Sequence, residues 1–186
     1  MSSAELAWRE PCGVAETPPE YVFHRPRLYL ETTIPSYLTA RISRDLQTAR
    51  RQRITLSWWN AWRTNFDIHV SRHVSAEATR GNPEAARRRL ELITPYKILE
   101  IDSRSELLTA RLMNDCGLPI RAETDAAHVA VAAVNSMKFL LTWNCAHLVN
   151  PQFASKIAAA CESEGYDCPI LCTPEDLTRR YEHELS

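Results

Sequence analysis

The sequence predicts an α/β fold with a mainly parallel, Rossmann-like sheet of about five strands flanked by helices. Three observations predict it. Short apolar runs alternate with longer amphipathic segments from Arg27 to the end of the chain, the order that crossover connections require. One of these runs, Phe139-Leu140-Leu141-Thr142, shows no charged residue and no polar face, as strands covered on both sides do. No linker divides the chain after residue 26, and 186 residues suit one domain with a sizeable core.

The elements follow in order. Residues 1–26 contain Pro11, Pro18 and Pro19, lack periodic structure and read as a flexible extension before a domain spanning 27–186. Leu28-Tyr29-Leu30 is the first buried strand, and Thr33 with Pro35 suits a helix running towards Ala40. Asp45 caps a long helix to about Asn65 whose apolar stripe is Ile54, Trp58, Trp62 and Phe66. That spacing assigns the tryptophans to packing rather than to a nucleic-acid platform. Ile68 to Val70 is a second strand. Ser75 to Thr79 opens a helix that Gly81-Asn82-Pro83 interrupts, and residues 84–92 form the next. Lys97 to Ile101 alternates as a third strand, and Ser103 with Glu106 forms a capping box for a helix to about Asn114. Thr124 caps an alanine-rich helix over Asp125 to Asn135, and strand four follows at 139–142. Asn150-Pro151 opens another helix, Pro169 to Cys172 is strand five, and Thr173-Pro174-Glu175-Asp176 caps the last helix.

Composition excludes several classes. No stretch approaches the roughly 18 apolar residues that span a membrane, and the first twenty residues hold four acids and no apolar centre, unlike a secretory signal. A cytoplasmic location is the expectation. The six cysteines are scattered without a CxxC pair and read as reduced thiols. Net charge is −1, but residues 25–104 carry +7 between an N-terminal −3 and a C-terminal −5. A basic middle can hold phosphates, although any single arginine is first of all a solvated helix residue. With only four glycines and no GxxxxGK[ST], the chain has no triphosphate loop.

Sites in open parallel sheets gather at the carboxyl ends of the strands. Glu31 directly follows strand one, Glu77 comes shortly after strand two, Asp125 lies in the first turn of the helix feeding strand four, and Asn144 follows that strand. Carboxylates converging on one edge repel one another unless a cation neutralises them. Carboxylate oxygens suit magnesium or manganese, and such an ion can assist phosphodiester hydrolysis. Taken singly, each residue has a plainer reading: a surface acid, a helix-dipole partner for Asp125, a turn residue for Asn144. The shared placement raises them together. His69 and His73 are four apart but straddle a strand, so they do not share a face, and His128 reads as a satisfied, partly buried histidine.

Five segments resemble the PIN domain family: Leu28-Tyr29-Leu30-Glu31-Thr32-Thr33-Ile34-Pro35, Val74-Ser75-Ala76-Glu77, Asp125-Ala126-Ala127-His128-Val129-Ala130, Leu140-Leu141-Thr142-Trp143-Asn144-Cys145-Ala146-His147, and Pro169 to Leu177. The similarity spans residues 27–180 and keeps the motif order. It implies a Rossmann-like sheet of about five parallel strands, Mg²⁺- or Mn²⁺-dependent ribonuclease activity, and frequent homodimers. It looks closest to VapC-type toxins, whose antitoxin partner blocks the site. On that resemblance Glu31, Glu77 and Asp125 would hold the metal, Asn144 would complete the catalytic set, and Thr32 and Thr142 would support it with hydroxyls. Two departures stand out: the first acid is Glu31 rather than Asp, and Asn144 replaces a common Asp. The weakened acid set leaves open a non-catalytic PIN-like module that binds RNA or a protein, and a structure-specific DNA nuclease is a further alternative.

Overall fold

The computed structural model describes residues 25–184; the proposed extension over residues 1–26 lies almost wholly outside them. The observed architecture is the Rossmann-like α/β sheet that the sequence predicts. Its five strands are β1 (Arg27–Leu30), β2 (Asp67–Ser71), β3 (Lys97–Leu99), β4 (Phe139–Leu141) and β5 (Ile170–Cys172). All pairs are parallel, and the order across the sheet is β3-β2-β1-β4-β5. The helices among the described residues are α1 (Thr33–Thr39), α2 (Leu46–Trp62), α3 (Arg72–Ala78), α4 (Pro83–Ile93), α5 (Ser103–Cys116), α6 (Glu123–Val134), α7 (Pro151–Ser163) and α8 (Pro174–Glu184).

Strand alternation sorts the core into two layers. Tyr29 and its lateral neighbour Leu140 point to the α6 side, where the Tyr29 ring meets His128. Phe139 points to the other side, against Phe66 and Tyr181. Helix α5 packs on α6 and α7, and α2 packs on α1 and α8. The alanine-rich stretch of α6 is buried from Ala126 to Ala133, its small side chains letting it lie close to its neighbours. Trp58 is buried, and Trp59 and Trp62 pack around it against Tyr96 and Tyr181, as the spacing predicts for core residues. The inner face of α2 is half polar, however: Gln52 and Thr55 are buried beside Ala49 and Trp58. Gln52 accepts from the Ser43 backbone and donates to the Arg41 carbonyl, fixing the loop between α1 and α2.

Several helix starts follow the expected chemistry. Asp45, Asn82 and Asn150 accept hydrogen bonds from the first backbone N–H groups of α2, α4 and α7. Thr173 and Asp176 bond reciprocally at the head of α8. Four boundaries differ. The third strand stops at Leu99 rather than Ile101, because its sole partner β2 ends opposite it at Ser71, where that side chain turns to cap α3. Helix α3 consequently begins at Arg72, not Ser75. The box at α5 sits one residue early: the Asp102 carboxylate accepts from Ser105, and Ser105 Oγ accepts from the Asp102 backbone. Thr124 does not cap α6, since a 3₁₀ turn over Ile120–Ala122 leads straight into the helix at Glu123.

No helix among the described residues is long and apolar enough to cross a membrane.

Candidate metal centre

In this strand order the chain leaves β1 towards β2 on one side and returns as β4 on the other. The carboxyl ends of β1 and β4 therefore border the switch-point crevice where open α/β sheets bind ligands. Glu31 stands in that crevice. Its backbone N–H extends the ladder to the Leu141 carbonyl, and its side chain is 6% exposed. One carboxylate oxygen accepts three hydrogen bonds: Thr33 N at 3.0 Å, Thr33 Oγ1 at 2.5 Å and Thr142 Oγ1 at 2.7 Å. The other, Oε1, has no partner among the described residues. A buried carboxylate with one oxygen tied down and one left free is prepared for a ligand.

Glu77, in the second turn of α3, comes to the same place from β2. Its Oε2 receives the Thr32 hydroxyl and lies 3.0 Å from His128 Nε2, while Arg80 stands 4.0 Å from its Oε1. Burial works against the charged carboxylate. The hydrogen bonds from His128 and Thr32, with the charges of His128 and Arg80, outweigh it and hold Glu77 below the usual glutamate range. Thr32 and Thr142, expected to support the acids, each reach one of them.

His128, which the sequence presents as a satisfied, partly buried histidine, is the third member of the group. It is 1% exposed, and both ring nitrogens are engaged: Nε2 with Glu77, Nδ1 with the Tyr29 hydroxyl at 2.7 Å. Tyr29 continues the chain to Ser71 Oγ at 2.6 Å. Burial drives the Tyr29 phenol far above its ordinary pKa, so it acts as a neutral hydroxyl. Both hydroxyls can reverse direction, which lets His128 present either an N–H or a lone pair at Nε2. Tyr29→Phe should therefore destabilise the fold by about 1–3 kcal/mol, the cost of leaving Nδ1 and Ser71 without their shared partner. Urea denaturation of both proteins measures it; an unchanged midpoint would show that the hydroxyl holds nothing.

Donor atoms of Glu31, Glu77 and His128 all lie within 4.8 Å of one another, the one such group among the described residues. Around an octahedral cation with bonds of roughly 2.1 Å, ligand atoms sit about 3.0–4.2 Å apart. The group fits a divalent ion after small side-chain shifts.

Asp125 is placed otherwise. It lies one turn before His128 on α6, but its Oδ2 is 2.8 Å from His147 Nδ1. Asn144 does the work of a turn: its Oδ1 accepts from the His147 backbone at 3.2 Å, and its carbonyl accepts from Leu148 and Val149. The structure thus brings Glu31 and Glu77 together, sets Asp125 against His147, and uses the Asn144 side chain to shape the loop that carries His147. The spacing of three between Asp125 and His128 was the available signal for the second histidine. His147 closes the Leu140–His147 segment that carries the resemblance, but nothing local announces its partner, which is 22 residues away. His69 pairs with Asp67 at 2.8 Å, and His73 lies in α3, with its ring 5.9 Å from His128.

A groove of about 760 Å³ between α5 and α6 is lined by His73, whose ring lies 5.9 Å from that of His128, and by Thr124 and Ala127 of α6. Glu106 and Glu123 line it, so it does not suit a phosphate.

No protein-family model matches the chain, and no curated protein matches it. Among solved structures it is similar to a chain in the crystal structure of VapBC2 from Rickettsia felis bound to a DNA fragment from their promoter. Identity is 17%, the match covers 78% of this chain and 97% of that one, and the TM-score is 0.48.

Proposed function

We propose that this protein is a metal-dependent endoribonuclease that hydrolyses RNA phosphodiester bonds, and that it is the toxin of a toxin–antitoxin pair. The observation that carries the hydrolase reading is the donor group of Glu31, Glu77 and His128 at the switch-point edge of the sheet. The PIN-type motifs at Glu31, Glu77, Asp125 and Asn144 support RNA as the substrate, an antitoxin as partner and a homodimer as the working form.

Two carboxylates suit Mg²⁺ or Mn²⁺. When bound, such an ion polarises a phosphoryl oxygen and lowers the pKa of a coordinated water. The chain's own residues prepare that event. Thr33 and Thr142 fix Glu31 so that Oε1 faces the ligand. His128 and Thr32 hold Glu77 ionised and in register with it. Arg80, beside Glu77, and Arg51, over the Trp143 ring, offer positive charge to a phosphate backbone.

Added Mn²⁺ should raise the melting temperature, and free metal at a hundred times its dissociation constant should add about 2.7 kcal/mol of stability. Cleavage of single-stranded RNA should appear with the metal and vanish with a chelator. A melting temperature that stays fixed through millimolar Mn²⁺, with no calorimetric heat, would overturn the metal centre. Metal binding without cleavage of any RNA would favour the non-catalytic module instead.

A further inference from the structure

We infer that Cys168 and Cys161 form a reversible oxidation site, in which Cys168 is the thiol that reacts with a small hydroperoxide and Cys161 the thiol that closes a disulfide on it. The site stands apart from the hydrolase reading. Both sulfurs lie at the amino edge of the sheet, where α7 ends and β5 begins, whereas Glu31 and Glu77 lie at the carboxyl edge.

The end of α7 brings the two residues together. Tyr166 N donates to the Cys161 carbonyl at 3.0 Å, Gly165 N donates to that of Glu162 at 3.0 Å, and Gly165 has φ +80°. Two bonds into the last turn, closed by a left-handed glycine, reverse the chain. Asp167-Cys168-Pro169 therefore runs back beside the helix it has just left. Ile170 N, donating to the Lys138 carbonyl at 3.0 Å, pins the returning segment to the head of β4. Cys161 points inward from α7 and is fully buried, with its thiol donating to the Cys168 sulfur. Cys168 is half-buried and lines a concavity of about 310 Å³ with Lys138, Asp167 and Ile170, room enough for a small oxidant. When protonated, its own thiol donates to the Pro169 carbonyl at 3.5 Å.

The pair is asymmetric. The bond from Cys161 favours a thiolate at Cys168 and holds that thiol below the usual cysteine range, against its burial and the charge of Glu162. The same bond, with burial, pushes the Cys161 thiol up. The sulfur that ionises is thus the one that an oxidant can reach, and the sulfur that keeps its proton is the one behind it. Burial pushes the Cys116 thiol up and the Cys172 thiol up to about 12, so neither competes as a nucleophile.

In the step proposed, the Cys168 thiolate attacks one oxygen of the hydroperoxide. An S–O bond forms, the O–O bond breaks, and the departing alkoxide or hydroxide takes a proton from solvent, leaving a sulfenic acid on Cys168. The Cys161 sulfur then attacks the Cys168 sulfur. An S–S bond forms, the S–O bond breaks, and the departing hydroxide takes the Cys161 proton and leaves as water. The two thiols lose two electrons and the peroxide gains them. A thiol reductant returns both cysteines to the reduced state.

The test treats the reduced, full-length protein with hydrogen peroxide in the presence of a chelator, then alkylates free thiols and maps peptides by mass spectrometry. Wild type should lose two hydrogens, regain them with dithiothreitol, and give a cross-linked peptide joining Cys161 to Cys168. At neutral pH the link should form roughly tenfold or more faster than the exposed Cys145 is oxidised. Cys161→Ser keeps a hydroxyl that can donate to Cys168 but cannot form a disulfide, so dimedone should trap the sulfenic acid on Cys168. Cys168→Ser should abolish the cross-link and leave Cys161 reduced. A wild-type protein without the Cys161–Cys168 link, or one that links Cys168 to Cys116 instead, would overturn the site, and this reading depends on the fold of no variant. A dimedone label on Cys145 but not on Cys168 in Cys161→Ser would overturn the assignment of the nucleophile.

Discussion

Glu31→Gln should fold as the wild type does and bind Mn²⁺ roughly 10²–10³-fold more weakly, with RNA cleavage falling at least as far. The asymmetry of the Glu31 carboxylate gives the reason. Its bonded oxygen accepts from Thr33 twice and from Thr142 once, and a glutamine carbonyl in the same position still accepts from all three. The amide nitrogen then occupies the position of the free Oε1, where it carries hydrogens and no charge. A unit charge pair at about 4 Å in an effective dielectric near 20 is worth roughly 4 kcal/mol before desolvation. A divalent ion doubles the attraction and the shed hydration offsets part of it, leaving about 3–4 kcal/mol at 1.36 kcal/mol per decade. Asp125→Asn provides the contrast. Asp125 lies outside the group of mutually close donors and faces His147, so its loss should weaken Mn²⁺ less than the Glu31 substitution does. Calorimetric Mn²⁺ titration of the three proteins, alongside urea denaturation, decides it. Equal affinity in Glu31→Gln and wild type would remove Glu31 from the metal centre.

The sheet was legible because burial leaves a mark on every residue it touches. β4 is apolar throughout and β1 is so after Arg27, their neighbours are spaced for helices, and Asp45, Asn82 and Asn150 announce helix starts with side chains suited to free N–H groups. Boundaries failed where two local solutions competed. At α5, Asp102 and Ser103 could each cap, and the carboxylate, a stronger acceptor than a hydroxyl, took the position. At β3, the length of an edge strand is set by its neighbour, and nothing in Lys97 to Ile101 records where β2 turns away. The site divides in the same manner. Placement at strand ends was readable, and it brought Glu31 and Glu77 together. Which side chain would meet which was not readable: periodicity shows that His128 is buried, but not that Tyr29 and Glu77, 99 and 51 residues away, satisfy its two nitrogens. The pairing of Asp125 with His147 is hidden for the same reason.

Trp143→Ala should destabilise the fold by about 3–5 kcal/mol, the usual cost of truncating a large buried aromatic. It should also weaken Mn²⁺ binding, although the residue touches no carboxylate. Trp143 is 7% exposed and joins three parts of the molecule. Its indole Nε1 donates to Thr55 Oγ1 on α2 at 2.7 Å, its ring packs 6.3 Å from Tyr37 of α1, and the Arg51 guanidinium lies 5.5 Å above it. Its backbone N–H donates at 2.8 Å to the Thr33 hydroxyl that in turn donates to Glu31. Removing the indole frees the loop after β4 to shift, and with it the hydrogen bonds that aim Glu31 and carry His147. Trp143→Phe separates the two effects. It keeps most of the packed ring and the backbone bond while losing only the Nε1 donor, so stability should fall by about 1 kcal/mol and metal affinity should hold. Urea denaturation and Mn²⁺ titration of both variants provide the measurement. If Trp143→Ala loses stability but binds Mn²⁺ as tightly as wild type, the indole is core packing alone and the bed of Glu31 does not depend on it.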